Sequence, residues 1–419
     1  MKEAAQEAPL DLAFDLLTFQ QLDRLAYRLE RELIAKKIRS GDIVALRHPP
    51  CAEALALFFA VWRVGASICP LSQRLPLSEI EPHLKRLKSR IFIDSFPIHS
   101  NLLDANATLN DPSALFFTSG STSLPKIAVL SLSSLINNAK SAICKLDLKR
   151  GDCWLLNLPL YHVGGIGICL RSILAKSRIV LNPFEPSITH SSAVPTQLYR
   201  ATPVYKRLRC LLLGGAPLSF YPEKIPCYLS YGLTEMGSIV CARLRPPQWN
   251  GHFDLGPPLP GKEILLLPDG EIAIRGNSLF QGYWEEGKII KNEGWFMTRD
   301  LGRLTKTGGL SILGRKDRQF ISGGENIQPE EIENALLTLP DVQEAFVAPI
   351  ADPEFGQRPV AVVKAAKDAA WIRSQLLEKL PKFKIPVRFI FVDHIPKAGF
   401  KIDFKKAFAI VNKNIDIIS

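Results

Sequence analysis

The chain has 419 residues, 47% hydrophobic and 22% charged, a length and balance that fit a globular protein of more than one domain. No run approaches the ~18 uncharged apolar residues of a membrane helix, and the acid-bearing start MKEAAQEAPLDLAF does not read as a secretory signal, so a cytoplasmic protein is expected. The net charge of +11 suits anionic partners such as nucleotides or coenzyme A, and the lack of a Lys/Arg block interleaved with aromatics argues against nucleic acid.

The first periodic stretch, FQQLDRLAYRLERELIAKKI, spaces its apolar residues for a helix. GDIVALRH follows as a buried strand, AEALALFFAVWRVGA as a helix and SICPL as another strand. RIFID, ALFFTSG, SRIVLN, AVPTQLYRA and LRCLLLGGA continue the pattern, which predicts α/β layering. From about Asp254 the texture turns β-rich, with a hairpin in EILLLPDGEIAIRG around Pro-Asp-Gly and a glycine-punctuated GLSILGRKDRQFISGG. QPEEIENALLTL then reads as a helix with Pro329 near its first turn and Glu330 and Glu331 as charges at its positive end. VQEAFVAPI and RPVAVVKA read as strands, AAWIRSQLLEKL as a helix and VRFIFVD as a strand. The expected architecture is a large N-terminal layered α/β domain with a β-rich subdomain, residues 1–313, followed by a small α+β domain, residues 314–419. The eight cysteines form no C-x-x-C pair and read as buried free thiols.

The stretch FFTSGSTSLPK ends a strand in a run of small residues and then a lysine. Thr118, Ser119, Gly120, Ser121, Thr122 and Ser123 can turn backbone N–H groups and hydroxyls toward an anion, and Lys126 adds a mobile charge. This is phosphate-cradle chemistry, although it lacks the G-x-x-x-x-G-K-[ST] pattern, and a plain Ser/Thr-rich turn remains open. SYGLTEMGS offers Tyr231 as a stacking face, Gly232 for close backbone approach, Thr234 as a phosphate donor and Glu235 as a Mg²⁺ ligand. LLLGGAPLS could let a flat base slide against Gly214 and Gly215. Asp300, in GWFMTRDLGRL, follows a predicted strand and could accept from two ribose hydroxyls. No G-x-S-x-G elbow is present, which argues against a serine hydrolase.

The order and spacing of these motifs, over roughly residues 41–408, resemble the adenylate-forming superfamily of acyl- and aryl-CoA synthetases, peptide-synthetase adenylation domains and luciferases. Within it, LLNLPLYHVGGIGI, YGLTEMGSIVCA, SGGENIQPEEIE, DPEFGQRPVAVV and KAGFKID look most like the o-succinylbenzoate–CoA ligases of menaquinone biosynthesis. The resemblance implies an ATP- and Mg²⁺-dependent ligase that makes an acyl-adenylate and then a coenzyme A thioester. It implies that residues 118–123 and Lys126 surround the β- and γ-phosphates, Thr234 holds the α-phosphate and Glu235 positions Mg²⁺. Gly214, Gly215, Ala216 and Tyr231 would form the adenine slot, and Asp300 and Arg315 would hold the ribose. Lys401 matches the late catalytic lysine and Asp317 the hinge of a mobile C-terminal domain, and SGGEN would line the thiol tunnel. His162 and Gly164 fall beside the acyl pocket, with a buried structural role for His162 equally open. Arg200 is a candidate for a second carboxylate, with a packing role equally open for Arg200 and Gln197.

The sequence departs from the family pattern at Ser123, at Arg318 where a second acid is common, and in PKAGFKID. There Phe400 precedes the lysine and Lys397 competes with Lys401. Other aryl or fatty acids, a carrier-protein thiol or a non-catalytic nucleotide-binding relic are the alternative readings, and a monomer or homodimer is expected.

Overall fold

The structure, a computed structural model, describes residues 1–104, 109–118, 125–194, 197, 208–214, 225–244, 254–398 and 401–415. The first periodic stretch forms the helix Phe19–Ala35, started by a capping box in which Thr18 and Gln21 each bond the other's backbone N–H. The next helix, Ala52–Val64, stops at Gly65, whose φ of 83° suits a residue without a Cβ. Strand Ile43–Leu46 is buried along its whole length, as a parallel strand covered on both faces should be.

Two large sheets dominate. In the seven-stranded sheet, Ile43–Leu46 lies between Ile91–Ile93 and Ser67–Pro70, all parallel. The order then runs through Ser113–Thr118, Lys126–Ser131, Gly282–Glu285 and Lys288–Lys291. The eight-stranded sheet has the order Ser238–Leu244, Cys227–Leu233, Cys210–Leu213, His190–Ala193, Cys153–Leu155, Arg178–Val180, Leu12–Phe14, Leu17–Thr18. One apolar cluster contains residues of both sheets and of the helices Phe19–Ala35, Ala52–Val64, Leu132–Leu146 and Val163–Ala175. Its fully buried Phe19, Phe58 and Trp154 each gain roughly 1.5–3 kcal/mol from leaving water.

The β-rich segment is a four-stranded antiparallel sheet, Lys262–Leu266, Glu271–Gly276, Phe296–Leu304 and Leu310–Arg315, and its first pair is the expected Pro-Asp-Gly hairpin. After it the packing changes partners. Leu310 belongs to a cluster with Ile272 and Ile274, whereas Phe320 packs with Ile332, Val347 and Ile372. Strand Leu310–Arg315 therefore runs across the expected 313/314 boundary. The last segment pairs Val342–Asp352, Gly356–Ala365 and Arg388–Phe391 beside the helices Pro329–Leu337, Ala369–Leu377 and Phe404–Ile415. Six cysteines are buried free thiols, but Cys51 is half-buried and Cys144 exposed, contrary to the reading of all eight as buried. No helix among the described residues is long and apolar enough to cross a membrane.

Candidate active site

The candidate residues gather where strands end. Ser113–Thr118 and Lys126–Ser131 run antiparallel, so Thr118 lies opposite Lys126 and its hydroxyl reaches the Lys126 carbonyl at 3.4 Å. Ser119, Gly120, Ser121, Thr122 and Ser123, the rest of the expected cradle, lie outside the described residues.

Lys126 leads to a residue that the motifs did not single out. Its Nζ sits 4.7 Å from the ring centroid of Tyr283, a cation–π contact. The Tyr283 hydroxyl in turn donates to Glu235 Oε1 at 2.7 Å. This chain of contacts follows from sheet register. Gly282–Glu285 pairs with Lys126–Ser131, placing Tyr283 opposite Ala128, while the Phe280 N–H donates to the Glu235 carbonyl at 2.8 Å. Burial, with the Glu235 charge, pushes the Tyr283 phenol above its usual range, so it stays a donor.

Glu235 lies in the 3₁₀ turn Thr234–Met236 that follows strand Cys227–Leu233. The turn closes with the Gly237 N–H on the Thr234 carbonyl at 2.9 Å. Gly232 is required just before it, because a Cβ there would collide with the Ser238 carbonyl.

The second cluster forms around Asp300. This residue lies inside strand Phe296–Leu304, not after a strand, and its cross-strand partner is Arg315. Asp300 Oδ1 accepts from Arg315 Nη1 at 2.9 Å, and Oδ2 accepts from the Tyr231 hydroxyl at 2.6 Å. Arg315 also holds Asp317 through Nε at 3.1 Å and Nη2 at 3.2 Å. Burial alone would lower the Arg315 pKa, but Asp317 and Asp300 together raise it. Tyr231 was expected as an open stacking face, yet its side chain is buried and its hydroxyl anchors Asp300. Gly214 follows strand Cys210–Leu213, and a Cβ there would come within 2.6 Å of Ser230 Oγ. Gly215 and Ala216 lie outside the described residues. The Arg315 charge acts on the Tyr283 phenol in the opposite sense to burial and Glu235.

On the acid side, His162 precedes helix Val163–Ala175 and is exposed, which rules out the buried structural histidine. Its ring lies 4.6 Å from that of Tyr161. Gly164 packs against Leu158, where a Cβ would lie 3.1 Å from Cδ1. Gln197 accepts from the Val194 N–H at 3.0 Å, a local structural bond, and Arg200 lies outside the described residues.

Lys401 opens the short strand Lys401–Ile402, paired with Lys397–Ala398. The competing Lys397 pairs with Glu344, whose other oxygen accepts the Ile395 N–H at 2.7 Å. Asp317 sits in the turn Lys316–Arg318. Arg318 is held by Glu330 at 2.8 Å and Glu333 at 2.7 Å, and it lies over the rings of Phe346 and Phe404. Glu330 lies in the first turn of helix Pro329–Leu337 as expected and is also a buried ion-pair partner, and burial raises its pKa.

A single carboxylate beside a lysine and a phenol suits a cation that keeps its waters and binds partly through phosphate oxygens. No group of three His, Cys, Asp or Glu capable of holding a metal occurs among the described residues.

The model of the AMP-binding enzyme family matches residues 2–109 and 101–284, and that of the AMP-binding enzyme C-terminal domain matches residues 331–399. The chain is 36% identical to the 2-succinylbenzoate–CoA ligase of Salmonella typhimurium, covering 96% of this chain and 94% of that protein. Among solved structures it is similar to o-succinylbenzoate CoA synthetase (MenE) from Bacillus subtilis in complex with the acyl-adenylate intermediate OSB-AMP. The TM-score is 0.82 at 26% identity, covering 96% of each chain. The same Bacillus subtilis protein in complex with ATP and magnesium ion aligns at a TM-score of 0.80 and 27% identity, covering 94% of this chain and 96% of that one. The family matches over both segments lead to one conclusion: the chain belongs to the AMP-binding enzyme family.

Proposed function

We propose that this protein is an ATP-dependent acid–CoA ligase that converts o-succinylbenzoate into its coenzyme A thioester through an acyl-adenylate, a step of menaquinone biosynthesis carried out in the cytoplasm. The observation that carries the reading is the assembly of the motif residues into two charged clusters, Lys126–Tyr283–Glu235 and Tyr231–Asp300–Arg315. The named acid of the relatives supports the choice of substrate.

A carboxylate is a poor electrophile, so the first half-step makes it the nucleophile. One of its oxygens attacks the α-phosphorus of ATP, and pyrophosphate leaves. Both reactants are anions, so catalysis rests on stabilising charge. Thr118 to Ser123 and Lys126 take the β- and γ-phosphates, and Thr234 the α-phosphate. Glu235, held by Tyr283, would hold Mg²⁺, which would supply positive charge to offset that of the phosphates. Asp300 and Arg315 take the ribose, and Gly214, Gly215 and Ala216 flank the adenine, with Tyr231 fixing Asp300. Lys401 bridges the carboxylate and α-phosphate, which suits it better than Lys397, already paired with Glu344. In the second half-step the thiol of coenzyme A attacks the acyl carbon and AMP leaves. The C-terminal domain, beginning near Asp317, turns to withdraw Lys401 and presents the loop at Gly323 and Gly324 to the thiol.

The test is incubation with ATP, Mg²⁺, coenzyme A and a panel of acids, with AMP and pyrophosphate release and mass detection of the thioester. The expected result is turnover of o-succinylbenzoate above benzoate and long-chain acids. Turnover of those acids without o-succinylbenzoate would reject the substrate and leave the ligase chemistry standing.

A further inference from the structure

Helix Leu132–Leu146 turns one face to the core, and Asn138 stands on that face between Leu135 and Ala142, 2% exposed. A side-chain amide buried among apolar residues costs free energy unless its donors are met. Here one nitrogen meets two acceptors. Asn138 Nδ2 donates to the Met236 carbonyl at 2.7 Å and to the Ile239 carbonyl at 2.9 Å. Only the NH₂ end of an amide can serve two carbonyls, so the partners fix its orientation.

The two carbonyls bracket Gly237 and Ser238, where the chain leaves the turn Thr234–Met236 and enters strand Ser238–Leu244. Both bracketed residues hold positive φ, 68° at Gly237 and 125° at Ser238, and a residue with a Cβ rarely adopts the second value. Such a conformation persists where the surroundings over-determine the backbone. The pairing of Cys227–Leu233 with Ser238–Leu244 also slips at this point, from Tyr231 opposite Cys241 to Gly232 opposite Ile239. The helix supplies packing as well as bonds, since a Cβ on Gly237 would lie 3.4 Å from Asn138 Cβ and 3.7 Å from Leu135 Cδ2. Asn138 therefore staples a strained reversal of the chain.

The stapled turn is the one that carries Thr234 and Glu235. On one side it is held by the Tyr283 hydroxyl on the Glu235 carboxylate and by the Phe280 N–H on the Glu235 carbonyl. On the other it is held by Asn138, whose helix follows directly on strand Lys126–Ser131. One strand–helix unit thus carries both Lys126 and the staple, and it sets the turn relative to the lysine.

We propose that Asn138 is a positioning residue for MgATP: by fixing the carbonyls of Met236 and Ile239 it keeps Thr234 and Glu235 in register with Lys126, so that the α-phosphate and the cation are met together with the outer phosphates. This deepens the ligase reading above and rests on it. Asn138 touches no reactant and acts through the turn.

The test compares wild type, Asn138→Ala and Ser141→Ala by two readouts. One is the Kd for ATP from titration calorimetry with and without Mg²⁺, and the other is pyrophosphate release with o-succinylbenzoate, titrated in Mg²⁺. Ser141 accepts from Lys262 and donates to the Asn138 carbonyl, so its loss disturbs the same helix and leaves the turn's carbonyls paired. Asn138→Ala should weaken MgATP binding, raise the Mg²⁺ concentration for half-maximal rate and lower kcat/KM for MgATP on the order of 10- to 100-fold. Ser141→Ala should lower Tm and move none of these. Where Asn138→Ala alone does not fold, Asn138→Ala with Ser238→Gly is compared with Ser238→Gly alone, because glycine relieves the positive φ and returns stability. The loss of MgATP affinity should persist in that pair. Equal Kd and Mg²⁺ dependence in wild type and Asn138→Ala, or an affinity that returns together with Tm in the double variant, would overturn the assignment. Wild type that binds MgATP but releases no pyrophosphate with any acid rejects the ligase reading, and the calorimetric comparison still decides the role of Asn138. Wild type that binds no MgATP rejects both.

Discussion

Tyr283→Phe removes one oxygen and keeps the ring on which Lys126 rests. The lost interaction is a 2.7 Å hydrogen bond from a phenol to the Glu235 carboxylate. A hydrogen bond to a charged group contributes about 1.5–3 kcal/mol, and 1.4 kcal/mol is tenfold, so kcat/KM for MgATP should fall about 10- to 100-fold. The contact at 4.7 Å between Lys126 and the ring survives, so the loss reports on the bond to Glu235 and, under the proposed mechanism, on its hold on Mg²⁺. The assay is initial-rate pyrophosphate release at saturating acid, titrated in Mg²⁺ at fixed ATP. The Mg²⁺ concentration for half-maximal rate should rise, while Tm changes little because the ring still fills its place. Unchanged Mg²⁺ dependence, or a rate loss matched by a collapse in Tm, would refute the idea that Tyr283 serves the site by orienting Glu235.

Lys401→Ala should slow adenylation on the order of 10²–10³-fold while thioester formation from preformed acyl-adenylate stays close to wild type. Lys397→Ala should leave adenylation close to wild type, and both half-reactions can be followed separately by pyrophosphate and thioester release. Asp300→Asn, which takes the charge from beneath Tyr231 and Arg315, should raise KM for ATP roughly 10- to 100-fold with a smaller effect on kcat. Lys262 is buried, donates to Ser141 Oγ at 2.6 Å, and has its pKa lowered by burial to about 8 from the ordinary 10.5. The unfolded chain then binds the proton that the folded one releases, so the charged lysine destabilises the fold below pH 8 and ceases to do so as pH rises toward 10.5. Lys262→Met should therefore gain about 3 kcal/mol over wild type at pH 7 and lose that advantage across this window, read from denaturant melts. The difference between the two proteins removes the opposite titration of the buried cysteines other than Cys241, which feels the Lys262 charge. Arg318→Met leaves Glu330 and Glu333 buried without their cation and should cost about 3–5 kcal/mol in the same melts.

The buried strand Ile43–Leu46, the helices on either side of it and the Pro-Asp-Gly hairpin were legible because apolar period and turn chemistry report directly on local structure. Thr118 opposite Lys126 and Asp300 opposite Arg315 follow from motifs that happen to lie on paired strands. Tyr283 was not legible, because its role comes from register between segments more than 150 residues apart and nothing in its own neighbourhood marks it. The turn at Glu286 and Gly287, both at positive φ, was the available signal for its hairpin. Helix Val163–Ala175 was not among the predicted elements; its three glycines interrupt the apolar pattern, and Gly165 packs against the Pro159 carbonyl. Tyr231 shows the converse limit: an aromatic in a motif reads as a face, and only packing reveals that its useful part is the hydroxyl.

Four consecutive residues at the end of strand Leu310–Arg315 divide their loyalties. Arg315 holds Asp300, Lys316 bonds Asp269 and Glu271, and Asp317 is gripped by Arg315, so all three are fastened to the four-stranded sheet. Arg318 is fastened to Glu330, Glu333 and the Val347 carbonyl on the far side. If the proposed turn of the C-terminal domain acts at the torsions joining Asp317 to Arg318, these clasps stay shut, and the bond it must break or stretch is that from Gln328 Nε2 to the Arg315 carbonyl at 3.0 Å.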